Sequence, residues 1–74
     1  MISMTLRVYR GKTAVPGAKF EWTDGFDPDW AGDDGVAHLQ WADREAGREV
    51  GVYCNGKYLG TITVKEGANP WFKL

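Results

Sequence analysis

The chain has 74 residues, nine Lys or Arg against ten Asp or Glu, and a formal net charge of −1. At roughly 100–200 residues per domain it reads as one domain, residues 1–74, with no room for a separate catalytic domain. No apolar run reaches the roughly 20 residues that a membrane-crossing helix needs, no basic stretch followed by an apolar one opens the chain, and the single Cys54 excludes an internal disulfide.

These features point to a cytoplasmic protein with no membrane contact. One His and one Cys cannot assemble a structural zinc site, and no cofactor is expected. Four Trp, three Tyr and three Phe are many for this length. A chain this small buries only about 60% of its unfolded surface, so the first duty of its aromatics is the core, and any left exposed becomes informative.

Met4 to Arg10 alternates at period two, with Met4, Leu6 and Val8 on one face and Thr5, Arg7 and Tyr9 on the other, the pattern of a half-buried strand. Pro16-Gly17 marks a turn, after which Ala18, Phe20 and Trp22 alternate with Lys19, Glu21 and Thr23. Asp24 to Gly35 is a long acidic connection. Val36 to Ala42 forms a third strand with Ala37, Leu39 and Trp41 as its inner face. Asp43 to Arg48 reads as a turn rather than a helical turn capped by Asp43. Val50–Cys54 and Lys57–Val64 flank Asn55-Gly56, a pair suited to a type I′ hairpin, with Val52 opposite Leu59 and Tyr53 opposite Tyr58. Ile62 and Val64 then fall on the wrong parity from Leu59, and a bulge near Gly60 reconciles them. Pro70 to Leu74 reads as an edge strand, because Pro70 has no N–H to donate. Six short strands without a helical period predict an all-β fold, a small antiparallel β-sandwich or open barrel.

The series Val15-Pro16-Gly17-Ala18-Lys19-Phe20, Asp33-Asp34-Gly35-Val36-Ala37-His38-Leu39 and Val50-Gly51-Val52-Tyr53 before Asn55-Gly56-Lys57 resembles bacterial Ig-like, transthyretin-like modules of the carboxypeptidase regulatory-like kind. The resemblance covers residues 5–64. It implies a non-catalytic adhesion, scaffold or recognition module and names no ligand.

Residues 21–35 hold six acidic side chains and no Lys or Arg, while the rest of the chain holds nine basic and four acidic ones. A calcium loop is one reading of such a segment, but with Asp27 at position 1 of an EF-hand, Ala31 falls at position 5 and His38 at position 12, where a carboxylate is required. A docking surface is the other reading. An apolar anchor rimmed by charge both grips and steers a basic partner, and Asp24, Phe26, Asp27, Asp29, Trp30, Asp33 and Asp34 are the candidate contact residues.

Tyr53 with Tyr58, or Trp22 with Trp71, offer an alternative carbohydrate platform, and the Trp71–Leu74 edge offers a route to a homo-oligomer. Direct nucleic-acid binding is not expected, because Arg7, Arg10, Lys12, Lys19, Lys57, Lys65 and Lys73 are scattered along the chain. A Cys54–His38 dyad would need the two side chains within hydrogen-bond reach, yet Cys54 follows the parity of core residues. The expected role is a non-enzymatic, protein-binding inhibitor or adaptor, such as a phage-encoded protein that blocks a host machine.

Overall fold

The N-terminal alternation builds the longest strand. In the computed structural model, which describes residues 1–74, β1 spans Ile2–Arg10 and buries Ile2, Met4, Leu6 and Val8 while Thr5, Arg7 and Tyr9 face outward. It is followed by β2 (Thr13–Ala14), β3 (Lys19–Trp22), β4 (Asp29–Trp30), β5 (Ala37–Trp41), β6 (Glu49–Cys54), β7 (Lys57–Thr63) and β8 (Trp71–Lys73). Eight strands thus replace the six expected. The two extra ones, β2 and β4, have two residues each, too few to show an alternating pattern.

The strands form two four-stranded sheets. In the first, β1 is the hub: Ile2–Leu6 pair antiparallel with β5, Tyr9 and Arg10 pair antiparallel with β2, and Arg7–Tyr9 pair with β8. The second has the order β4-β3-β6-β7 and is antiparallel throughout. Sixteen apolar side chains, thirteen from the facing sides of the two sheets and Ala18, Ala31 and Val64 just beyond strand ends, make one core, and no polar or charged residue is buried. The result is a small β-sandwich. Ala37, Leu39 and Trp41 supply the inner face of β5, as their spacing predicts.

β8 is parallel to β1, a departure from the antiparallel expectation. After β7 the chain crosses to the other sheet and runs alongside β1. Gly67 N donates to Ser3 O, Thr5 N to Ala68 O, Arg7 N to Pro70 O and Leu74 N to Tyr9 O. Pro70 serves here only as an acceptor, so its missing N–H costs nothing.

The β6–β7 hairpin closes as Asn55-Gly56 demands, with φ of 51° and 88° at the two positions. Tyr53 pairs with Tyr58, but Val52 pairs with Gly60 rather than Leu59. Leu59 is the extra residue of the bulge anticipated near Gly60, and it restores Ile62 and Val64 to the core side. Asp43–Glu45 form a single 3₁₀ turn in place of the plain turn expected. Its closure comes from Glu45 N donating to Ala42 O at 2.9 Å and from Arg48 Nη1 donating to Glu45 Oε2 at 2.7 Å. Asp43 sits inside the turn and caps nothing.

Candidate docking surface

Both ends of the acidic segment are tied to the sandwich. At its start Thr23 N donates to Gly51 O at 3.1 Å, and Gly51 N donates back to Thr23 Oγ1 at 3.0 Å. At its end Asp34 Oδ1 accepts from Val36 N at 3.0 Å, and Gly35, at φ +78°, lies so close to Ala14 that a β-carbon there would overlap it. Between these points Ala31 N donates to Ala18 O and Gly17 N to Ala31 O, which lays β4 along the edge of β3.

Anchored this way, the seven candidate residues divide into two groups. Phe26 is half-buried and packs on Trp41 with ring centroids 5.9 Å apart; the Arg48 guanidinium lies 5.6 Å from its ring centre and 2.6 Å from Asp24 Oδ2. Phe26 therefore covers the end of the core where Trp22 and Trp41 meet edge to face at 5.3 Å. Asp29 faces inward and accepts from Trp22 Nε1 at 3.2 Å. Burial raises its pKa above the ordinary carboxylate value, the hydrogen bond from Trp22 opposes that shift, and the nearby charge of Asp27 adds to it. Asp24, Phe26, Asp29 and Asp34 thus hold the segment together.

Asp27, Trp30 and Asp33 face solvent. Trp30 is 58% exposed, and neither Asp27 nor Asp33 has an ion-pair or side-chain hydrogen-bond partner. Trp30 projects from the outer side of β4 because its register partner Lys19 points outward between the buried Ala18 and Phe20. The Lys19 ammonium lies 5.8 Å from the Trp30 ring centre. Farther across the same outer face, Glu21, Tyr53 and Tyr58 stand opposite one another on β3, β6 and β7. The sequence indicates that Lys19 points outward, but its pairing with Trp30 required β4, which carries no sequence signal of its own.

The remaining candidates can be placed as well. Trp22 is a core residue and cannot serve as a sugar platform beside Trp71. Tyr53 and Tyr58 are exposed, yet their rings are inclined by 64° and offer no common plane. Cys54 lies in the core, where burial raises its thiol pKa, and His38 faces solvent from the outer side of β5 in the other sheet, so the sheet that carries His38 stands between the two side chains. No three of the His, Cys, Asp and Glu side chains gather closely enough to hold a metal ion, so the acidic segment does not converge as a calcium loop would. No protein-family model matches the chain, and no curated protein matches its sequence.

Proposed function

We propose that the chain is a non-catalytic protein-binding module, an inhibitor or adaptor, that docks a partner with a basic surface through Trp30, Asp27 and Asp33. The observation that carries this reading is the division of the acidic segment. Four of its candidate residues are spent on internal packing and hydrogen bonds, while a 58% exposed indole is left, flanked along the chain by two exposed, unpartnered carboxylates. A large aromatic of this kind supplies the apolar anchor of a hot spot, and rim carboxylates speed and orient the approach of a cationic surface. Both ends of the segment are fixed to the sandwich, which lowers the ordering cost of binding.

The test is capture from a bacterial lysate on the immobilised chain, with Trp30→Ala and Asp27→Lys/Asp33→Lys as parallel baits. A protein held by the wild-type chain at moderate salt and lost from both variants supports the reading. One held equally by all three overturns it. Asp29 is left intact in these baits, because a Lys there would remove the acceptor for Trp22 Nε1.

A further inference from the structure

The basic side chains are scattered in sequence, but the fold sorts them. Arg44 and Arg48 are paired with carboxylates, and Lys19 lies over Trp30. Of the six that remain, Arg7, Arg10, Lys12 and Lys73 come from the second half of β1, the turn after it, and β8. The parallel register sets Arg7 beside Trp71 and Tyr9 beside Lys73. Because Leu6, Val8 and Phe72 point toward the core, Arg7 and Lys73 share the outer face of the sheet.

Tyr9, Gly11, Lys12, Trp71 and Lys73 line an open cleft of about 350 Å³, at the small end of the ~300–1,000 Å³ typical of ligand clefts. No Asp or Glu side chain lines it. Arg7, Lys12 and Lys73 make this neighbourhood basic, whereas Arg10 alternates with Tyr9 and lies on the other side of β1. Tyr9 meets Trp71 edge-on, with centroids 6.0 Å apart and planes at 81°. Trp71 is 58% exposed, and no cation of the chain covers its ring.

An open indole face among unpaired cations is the arrangement that receives a planar, anionic ligand, through ring stacking and phosphate contacts. We infer that this cleft binds a nucleotide unit, its base stacked on Trp71 and its phosphate held among Arg7, Lys12 and Lys73, supplied free or as part of a single strand. The scatter of cations that argued against nucleic acid is a property of the sequence order only. The site lies on the opposite sheet from Trp30 and does not depend on the docking surface.

The experiment is fluorescence anisotropy of a labelled thymidine octanucleotide titrated with the intact protein, with thymidine monophosphate as unlabelled competitor. Binding should weaken about tenfold or more in Trp71→Ala, fall strongly in Lys12→Glu/Lys73→Glu, and stay unchanged in Trp30→Ala. With three phosphates neutralised, raising NaCl from 50 to 200 mM should weaken it about 20-fold. Competition by the mononucleotide at matching affinity identifies a free nucleotide as the ligand, and its failure to compete identifies the strand; either supports the site. Thermal melts confirm that the variants fold, and Trp71→Phe, which keeps a stacking surface, should recover part of the affinity. Absence of binding at 50 mM NaCl overturns the inference. So does equal competition by polyphosphate, which has no base to stack, or binding that survives Trp71→Ala. A Trp71→Ala variant that loses self-association while keeping octanucleotide affinity would make the cleft a contact between copies of the chain, and would also overturn it.

Discussion

Gly35 is where the acidic segment returns to the sandwich, and its substitution tests how that segment is held. At φ +78° the residue occupies a region that costs an L-amino acid about 1–2 kcal/mol. A β-carbon there would lie 2.5 Å from Ala14 Cβ and 2.9 Å from Ala14 C, so the obstacle includes β2 backbone, which cannot rotate aside. Overpacking of this kind typically adds about 1–3 kcal/mol. Gly35→Ala should therefore cost about 2–5 kcal/mol. At ~0.05–0.15 kcal/mol per residue, a chain of this length holds about 4–11 kcal/mol in total, so the loss is a large share of it. The melting temperature should fall by at least about 8 °C, using about 4–8 °C per kcal/mol for domains of this size. Gly25→Ala is the matched control: its φ is also +78°, but nothing lies within 4 Å of the added carbon. It carries the strain without the collision and should cost only about 1–2 kcal/mol. Urea unfolding followed by tryptophan fluorescence gives both values. Equal losses in the two variants would refute the contact with Ala14 as the feature that fixes the end of the segment.

Three further outcomes follow from the same geometry. Trp41→Ala, which empties a core position, should cost about 3–5 kcal/mol in urea unfolding, whereas Trp30→Ala and Trp71→Ala, each 58% exposed, should cost about 1 kcal/mol or less; comparable losses at the three sites would contradict the burial pattern. The raised pKa of Asp29 means that protonation favours the fold. The stability it contributes is fully present below the ordinary carboxylate pKa and is lost as pH rises through the raised folded value. Asp29→Asn stays neutral and still presents an oxygen to Trp22, so wild type should lose stability relative to this variant across that window, and a difference that is flat with pH in paired urea titrations would sink the assignment. The Cys54 thiol, buried and with its pKa raised by that burial, should react with an aromatic disulfide reagent only as fast as the protein unfolds; complete labelling within the mixing time in native buffer would show that the site is open.

Much of the sandwich could be read from local chemistry. The alternation in β1, the inner face of β5, the Asn55-Gly56 turn and the need for a bulge before Ile62 each follow from a few adjacent residues. What escaped depends on partners distant in the chain. A two-residue strand such as β4 is defined only by the β3 edge it lies against, and β8 is parallel because the chain crosses to the other sheet before it pairs, which no residue of Trp71–Lys73 encodes. The same reason limited the candidate site. Asp24, Asp27, Asp29 and Asp33 are chemically alike and lie within one segment. What separates them is Arg48 beside Asp24 and Trp22 beside Asp29, while Asp27 and Asp33 have no ion-pair or side-chain hydrogen-bond partner. Phe26 and Trp30 could not be ranked as anchors until Trp41 took up Phe26.

The aromatics are sorted by the same logic, and the sorting bears on function. Phe20, Trp22 and Trp41 fill the core, with Trp22 and Trp41 joining the two sheets, so the small interior is already supplied with large side chains. Trp30 and Trp71 are then not needed for burial, and each lies on the outer face of a different sheet. If they were merely surplus apolar surface, the charges around them would have no reason to differ. Instead Trp30 lies in a segment whose exposed Asp27 and Asp33 have no partner, with the charge of Lys19 offset by Glu21 on the same strand face, while Trp71 stands among Arg7, Lys12 and Lys73 with no acidic side chain lining its cleft. A net charge of −1 conceals this local difference. Occupation of one face leaves the other free, so the two proposed sites predict binding that is additive: a basic protein at Trp30 and a nucleotide unit at Trp71 would be held by the same chain without competing.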